Sequence, residues 1–189
     1  LPYPADAGAK VRAYYTLRWL TERHAVTLAA FTRPDDPPDA VAHLQQYCQA
    51  VHTIPIRRLP WREGLAFTSS LLRGQSFIIQ RDRVAEMDAL IQALLSQGQF
   101  DAIHSDQLWM AQYALRGRQK APSARLVLDE HNACFQIFAR LAGGENNLLK
   151  KLVWKREAHY LEQYEARVCS RFDRVVTVTR EDGEILSGL

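Results

Sequence analysis

Short apolar runs alternate with longer amphipathic segments along the chain. The short runs suit buried strands, and in the longer segments apolar residues recur at the spacing of one helix face. The predicted strands cover residues 25–31, 51–56, 100–105, 125–129 and 173–179. The predicted helices cover residues 9–23, 39–50, 83–97, 107–116, 146–171 and 180–186. This alternation predicts an α/β fold: a doubly wound, mainly parallel, Rossmann-like sheet with right-handed crossovers.

Turn and cap residues set several boundaries of these elements. The segment 32–39 carries three prolines and is predicted to be a loop. Asp39 is the predicted N-cap of the next helix, and Gly98 is a predicted C-cap. Because Pro55 has no N–H group to donate, the strand 51–56 is expected at a sheet edge.

The segment 59–73 is amphipathic and allows two interpretations. Its apolar and charged residues are Trp61, Leu65, Leu71 and Leu72 with Arg62, Glu63 and Arg73. An ordinary core-facing helix is the preferred interpretation. The alternative is a surface helix that contacts the membrane carrying a lipid-linked or cell-surface polysaccharide acceptor.

Composition narrows the class of protein. The 189 residues are predicted to form one domain, and 47% hydrophobic with 24% charged residues is typical of a globular chain. No apolar run reaches the roughly 18–20 residues of a membrane span. Cys48, Cys134 and Cys169 lie far apart and form no CxxC pair, which predicts a cytoplasmic protein without a disulfide framework. No nucleic-acid-binding signature occurs, so no nucleic-acid partner is expected.

The net charge of +3 is unevenly distributed. Basic residues cluster in three places: Arg57, Arg58 and Arg62; Arg116, Arg118, Lys120 and Arg125; and Lys150, Lys151, Lys155 and Arg156. Solvated helix faces are the preferred interpretation of each cluster. Attraction to phosphate groups or to an anionic lipid surface is the alternative.

Polar residues that follow predicted strands are the candidate ligand-binding residues, because open α/β sheets bind ligands outside the carboxyl ends of their strands. One candidate is the loop of Asp6, Ala7, Gly8, Ala9 and Lys10, which runs into the first helix. A helix N-terminus offers backbone N–H groups and a positive dipole end to an anion. The other candidates are Asp106 and Gln107 after one strand, and Asp129, Glu130, His131 and Asn132 after the next.

The group from Asp129 to Asn132 is the densest of these candidates. Four polar residues directly after an apolar strand are costly to bury unless they are paired or face a cleft. His131 can donate a proton or a hydrogen bond to a substrate hydroxyl or phosphate, and Asn132 can fix its orientation. Equally, the group can be a polar turn in which Asn132 is the N-cap of the next helix. The histidines and carboxylates here lack a metal-binding spacing, so no metal and no other cofactor is predicted.

Five segments together resemble the N-terminal half of the family 4 glycosyltransferases, retaining enzymes with the two-domain GT-B architecture. They occur in the family's order and span nearly the whole chain. The segments are PYPADAGAKVRAYYTLRWL (2–20), HAVTLAAF (24–31), FDAIHSDQLWMAQYAL (100–115), RLVLDEHN (125–132) and YEARVCSRFDRVVTVTREDGEIL (164–186).

The resemblance implies a hexosyltransferase-type enzyme that moves a sugar from a nucleotide-sugar donor to a sugar or lipid-linked acceptor, with retention and without a metal. In that family the loop after the first strand lies near the donor diphosphate and the acceptor, which corresponds to Gly8 and its neighbours. The histidine after the later strand lies by the transferred sugar, which makes His131 the catalytic candidate. Polysaccharide biosynthesis at the inner membrane face, with peripheral membrane contact, is the setting that this implies.

The chain departs from the family's pattern in two respects. The family's C-terminal nucleotide-sugar domain, with its E-x7-E motif, is not among these residues. Glu157 and Glu165 have that spacing, but they lie in a charged predicted helix, about 80° apart on its surface, and a solvated face is the preferred interpretation. The central first strand is also missing, so either residues precede Leu1 in the native protein or the sheet contains a gap. We expect the full-length protein to be the enzyme and residues 1–189 alone to be inactive.

Two other functions remain open. One is a non-catalytic, Rossmann-like module that binds a nucleotide or a partner protein. The other is half of a sugar-nucleotide epimerase, which shares the two-domain plan without transferring a sugar.

Overall fold

The computed structural model describes all 189 residues and contains nine α-helices and five strands. The helices are α1 (Gly8–Thr21), α2 (Ala40–Gln45), α3 (Pro60–Arg73), α4 (Phe77–Arg81), α5 (Ala85–Gln97), α6 (Ala111–Gly117), α7 (Cys134–Gly144), α8 (Leu148–Cys169) and α9 (Arg180–Ser187). The strands are β1 (Thr27–Thr32), β2 (Ala50–Pro55), β3 (Ala102–Asp106), β4 (Arg125–Glu130) and β5 (Arg174–Thr177). The predicted α/β class is confirmed.

All strand pairs are parallel, as predicted, and they form two sheets where one was expected. One sheet has the order β1-β2, with Thr27 opposite Ala50. The other has the order β3-β4-β5, with β4 in the centre. Pro55 ends β2 at an edge of its sheet, as its missing N–H group requires.

The chain divides into two compact units, Leu1–Leu59 and Pro60–Leu189. In the first unit, Leu17 of α1 packs with Leu44 and Cys48 in a small core. His43 stacks on Tyr3 with ring centroids 3.8 Å apart, and its Nε2 lies 2.9 Å from the Tyr14 hydroxyl. These contacts fix α1 and α2 within the unit.

The second unit has the larger core, built around β4. Leu126 and Leu128 of β4 are fully buried and pack with Leu108 and with Leu161 of α8. Gly117 lets α6 approach α5 closely, since a Cβ atom there would lie 2.5 Å from Leu95 Cδ1. One face of the central strand is therefore covered by the main core of this unit.

Helix α4 was not predicted, and α7 was expected only in the interpretation that made Asn132 the N-cap of the next helix. The five-residue α4 is too short for a periodic pattern, and Ser76 caps it by accepting a hydrogen bond from the Ile79 N–H at 3.3 Å. The helix α7 has its N-terminus capped from another element, as described below. The predicted helix 39–50 is also shorter than expected, because Ala50 already belongs to β2. Asp39 does precede α2, but its side chain makes no capping hydrogen bond.

Helix α3 corrects the preferred interpretation of the segment 59–73. Trp61, Leu65 and Leu72 lie on one stripe of the helix, and all three are exposed rather than buried in a core. The opposite side of the helix faces the protein through the buried Ser70 and through Phe67, which contacts Phe77 edge-on with ring centroids 5.8 Å apart.

None of the helices is both long enough and apolar enough to cross a membrane.

Candidate functional site

The strands β3 and β4 end side by side and bring most of the predicted polar residues together. Asp106 at the end of β3 is in register with Asp129 of β4. The Gln107 N–H continues the ladder by donating to the Asp129 carbonyl at 2.9 Å. His131 and Asn132 follow directly after β4. The rule that parallel strands carry their ligand-binding residues at their carboxyl ends selects this edge.

Alternation along β4 divides the four residues between the two faces of the sheet. Successive side chains of a strand point to opposite faces, so Asp129 and His131 share one face and Glu130 takes the other. On the first face His131 meets Asp106, and Asp129 meets His104. On the second face Glu130 meets Cys134. The strand therefore separates a partly accessible group from a buried one.

The partly accessible group contains two crossed histidine–aspartate pairs. His131 Nε2 lies 2.9 Å from Asp106 Oδ1, and His104 Nε2 lies 4.0 Å from Asp129 Oδ2. The His131 side chain is nearly buried, while Asp106 is more than one-third exposed. With Asp106 ionised, Nε2–H donates a hydrogen bond to the Asp106 carboxylate, and Nδ1 is left as the acceptor of the neutral ring. The pair thus orients the imidazole for a hydrogen bond with a hydroxyl group.

Gln107 has a strained backbone beside this pair. Its φ of 72° and ψ of 155° lie in a region that essentially only glycine occupies, and it is the only non-glycine residue with a positive φ. Such strain costs about 1–3 kcal/mol and concentrates at functional sites. The turn after β3, directly next to Asp106, therefore lowers the free energy of unfolding of the protein.

The buried group consists of Glu130, Cys134 and Glu165. Glu130 is fully buried; its Oε1 lies 3.6 Å from Cys134 Sγ, and its Oε2 has no hydrogen-bond partner. Burial, reinforced by the charge of Glu165, raises the pKa of Glu130 to about 9. Burial also raises the pKa of the Cys134 thiol. At neutral pH Glu130 is therefore a neutral carboxylic acid, and a substrate on the His131 face does not reach it.

Glu165 caps helix α7 in place of the predicted Asn132. Its two carboxylate oxygens accept the N–H groups of Cys134 and Phe135 at 2.6 and 2.9 Å. The N-cap residue is Ala133, whose N–H donates to Asp182 at 3.0 Å. The interpretation of Asn132 as an N-cap is wrong, because a carboxylate from α8 already occupies that position. Asn132 is exposed beside His131.

The two glutamates of the E-x7-E spacing are buried, which corrects their interpretation as a solvated face. Glu157 accepts hydrogen bonds from the Ser76 hydroxyl at 2.5 Å and from the N–H groups of Phe77 and Ile78 at 3.0 and 3.1 Å. Glu157 thus caps α4 as Glu165 caps α7. Both carboxylates compensate the positive end of a helix dipole.

Two groups of side chains offer ligand atoms close enough for a metal ion. They are Asp106, Asp129 and His131 on one face, and Glu130, Cys134 and Glu165 on the other. A cation in the first group would compete with the hydrogen bond between His131 and Asp106. In the second group both oxygens of Glu165 already accept backbone N–H groups. That the protein works without a metal stays a prediction.

The loop from Asp6 to Lys10 lies in the first unit. Lys10 Nζ pairs with Asp6 Oδ1 at 3.3 Å across one helical turn. Ala7, Gly8 and Ala9 are exposed, and no side chain caps the N-terminus of α1. A Cβ atom at Gly8 would meet nothing within 4 Å, so the space in front of this backbone is open. The loop therefore presents a bare helix N-terminus.

Comparison with family models decides the family. A model described as a glycosyl transferase 4-like domain matches residues 7–189. The chain belongs to this family. The predicted resemblance to family 4 glycosyltransferases is thereby confirmed for most of the chain, including the loop from Ala7 and the residues after β3 and β4. Comparisons with curated proteins and with solved structures find no match.

Three features of this glycosyl transferase 4-like domain escaped the sequence analysis. The pairing of Asp106 with His131 depends on the register of β3 against β4, which no local pattern encodes. The backbone strain of Gln107 has no signal in the sequence. For the capping roles of Glu157 and Glu165, the E-x7-E spacing was the one feature of the sequence that could have indicated them. Two residues eight positions apart on a helix lie about 80° apart, so their carboxylates can contact different neighbouring elements.

Proposed function

We propose that the full-length protein transfers a sugar from a nucleotide-sugar donor to an acceptor, with retention of anomeric configuration and without a metal ion. Family membership supports glycosyl transfer in general. The observation that carries the proposal is the oriented pair of His131 and Asp106 at the carboxyl ends of two adjacent parallel strands.

His131 is proposed as the residue that contacts the transferred sugar. The Asp106 carboxylate holds Nε2, so Nδ1 accepts a hydrogen bond from a sugar hydroxyl while the ring is neutral and donates one when it is protonated. A hydrogen bond that strengthens as positive charge develops on the sugar ring lowers the barrier to transfer. Gln107 and Asn132, which flank the pair, are proposed to contact the same substrate.

Asp129 and Glu130 have indirect roles in this proposal. Asp129 is almost fully buried beside His104, and it fixes the turn after β3 through its carbonyl group. Glu130 lies on the opposite face of the strand, where its carboxyl group contacts the Cys134 thiol. Neither side chain is proposed to touch the substrate directly.

In the first unit, the loop from Asp6 to Lys10 is proposed to bind an anionic group of the substrate, such as the donor diphosphate. The exposed N–H groups at the start of α1 and the open space at Gly8 support this. Lys10 lies in the first turn of α1 and is paired with Asp6, so the backbone N–H groups carry this part of the proposal.

The acceptor is proposed to be a sugar, either lipid-linked or part of a growing polysaccharide, at the inner face of a membrane. The exposed apolar stripe of α3, with Trp61 and Leu65 beside Arg62, supports peripheral membrane contact.

The test measures release of nucleoside diphosphate by the native full-length protein from a panel of nucleotide sugars, with added acceptor sugars. We expect His131→Ala to lower the rate by at least about 100-fold, because both orientation and charge stabilisation are lost. The matched control is His159→Ala, since His159 is an exposed histidine of α8 bonded only to Gln163. A chelator is expected to leave the rate unchanged.

Four other results would each contradict one part of the proposal. Equal rates for the two histidine variants would remove His131 from the chemistry. Tight donor binding without turnover would favour a binding module, and epimerised donor without transfer would favour an epimerase. Loss of activity with the chelator, restored by a divalent cation, would overturn metal independence.

A further inference from the structure

The helical hairpin of α7 and α8 carries exposed leucines at its turn. We define the hairpin tip as residues 148–155, the first two turns of α8. Leu148, Leu149 and Leu152 are 81%, 76% and 65% exposed, and Val153 is also exposed. On the neighbouring α7, Ile137 and Leu141 are exposed as well. A contiguous set of exposed large apolar side chains marks an interaction surface.

Apolar and basic residues separate around the hairpin tip. At about 100° per residue, Leu148, Leu149, Leu152 and Val153 fall within an arc of about 140°. Lys150, Lys151 and Lys155 fall within the remaining part of the helix surface. A helix with leucines on one side and lysines on the other suits the boundary between the headgroups and the acyl chains of a bilayer.

The charges of the hairpin tip are all positive. Between Leu148 and Lys155 there are three lysines and no acidic residue. Lys150 and Lys151 lie in the first turn of α8, near the positive end of the helix dipole, where cations are unfavourable. An anionic surface placed against this turn would relieve that repulsion. Charge complementarity therefore identifies the partner as negatively charged.

The hairpin tip is held firmly by the protein behind it. The Asn147 side chain caps α8 by accepting the Lys150 N–H at 3.1 Å. Trp154 points back to α7, where its ring centroid lies 5.8 Å from that of Phe138. Two residues further on, Arg156 donates to the carbonyl groups of Ser70 and Gln75 at 2.7 and 3.2 Å. The exposed leucines are thus presented by an ordered helix.

We propose that the hairpin tip docks onto an anionic lipid bilayer, with its leucines in the interface and its lysines on lipid phosphates. This deepens the peripheral membrane contact of the proposed function, and it does not require the transfer reaction to be correct. Helix α3 is the weaker candidate for the main contact. Its stripe with Trp61 and Leu72 is also exposed, but the first two turns of α3 (residues 60–67) contain one basic and one acidic residue, Arg62 and Glu63, and so carry no net charge.

The test is co-sedimentation of the native protein with phosphatidylcholine vesicles that contain or lack phosphatidylglycerol. We expect binding only to the anionic vesicles, weakening as salt is added. The double variant K150E/K151E is expected to bind at least about 30-fold more weakly, at roughly tenfold per 1.4 kcal/mol. L149S/L152S is expected to lose at least about tenfold. Neither pair faces a core, and thermal unfolding of each variant checks that it is folded.

Two control variants show whether the hairpin tip is the surface responsible. Leu72→Ser removes a leucine that is 84% exposed on α3, and Lys120→Glu reverses an exposed lysine elsewhere. Both are expected to bind like the unmodified protein. If Leu72→Ser loses as much binding as the hairpin-tip variants, the assignment to the hairpin tip is overturned in favour of α3.

Three further outcomes would also overturn the proposal. They are absence of binding, equal binding to both kinds of vesicle, and a concentration-dependent dimer that L149S/L152S abolishes, which would make a second copy the partner. Release of nucleoside diphosphate without vesicles is measured in the same variants and is expected to stay unchanged. Membrane docking and sugar transfer can therefore fail separately.

Discussion

Gln107 holds a backbone conformation that glycine adopts at much lower cost. The strain of about 1–3 kcal/mol exceeds the entropy of about 0.5–1 kcal/mol that glycine adds to the unfolded chain. We therefore expect Gln107→Gly to raise the free energy of unfolding by about 1 kcal/mol. We also expect it to lower the transfer rate, because the Gln107 side chain is proposed to contact the substrate. Denaturant unfolding and the release assay measure the two effects.

The variant Gln107→Ala is the control for this prediction. Alanine shortens the side chain but retains Cβ, so the backbone strain remains and no gain in stability is expected. If Gln107→Gly is less stable than Gln107→Ala, the turn after β3 does not store strain.

At the scale of residues, the sequence pointed to the important side chains but not to their partners. His131 stands out because it follows an apolar strand within a run of polar residues. Its hydrogen bond to Asp106 joins two residues that are 25 positions apart in the chain and are brought together by adjacent strands of the sheet. Successive side chains of a strand point to opposite faces, so the Glu130 side chain points away from the His131 face once β4 is known to extend to Glu130.

At the scale of elements, helix α8 organises the second unit by capping two other helices. Glu165 accepts two N–H groups of α7. A glutamine at that position keeps one acceptor oxygen and turns its amide group toward the second N–H. At pH 8, above the pKa of about 7 to which burial raises Glu165, we expect Glu165→Gln to lower the free energy of unfolding by about 1–3 kcal/mol.

Glu162→Gln is the matched control, because Glu162 lies on the same helix and is exposed. Its effect on the free energy of unfolding is expected to stay within about 0.5 kcal/mol. Equal losses for the two variants would mean that the cap at α7 contributes nothing.

The capping contacts also explain which elements could be predicted. The strands and most of the helices have periodic patterns of their own, so they were found with small errors at their ends. The helices α4 and α7 are capped by carboxylates that arrive from α8, eighty and thirty residues away in the chain. A local pattern carries no information about such a cap.

At the scale of the whole molecule, the parallel α/β architecture was predictable and the pairing of strands was not. Alternating strands and helices favour parallel sheets whichever strands are neighbours. The division into a two-stranded and a three-stranded sheet depends on which edges hydrogen-bond to each other. That residues 1–189 form a single domain stays a prediction.

The buried carboxyl groups make the stability of the whole molecule depend on pH. Burial raises the pKa of Glu130 to about 9 and that of Glu165 to about 7, from 4.5 for an unperturbed glutamate. Above pH 4.5 the unfolded chain releases these protons while the folded protein retains them. The folded protein then binds more protons, so its stability falls as the pH rises through this window.

We expect the free energy of unfolding to decrease from about pH 5 to about pH 9, by at most about 1.4 kcal/mol per pH unit for each retained proton, and denaturant unfolding at a series of pH values measures it. Glu130→Gln keeps the size and neutrality of the buried group and cannot ionise, so it should flatten the slope and make the protein more stable at high pH. Glu162→Gln should leave the slope unchanged, since Glu162 is exposed on α8. A slope that is the same in Glu130→Gln and in the unmodified protein would show that Glu130 does not hold its proton in the folded state.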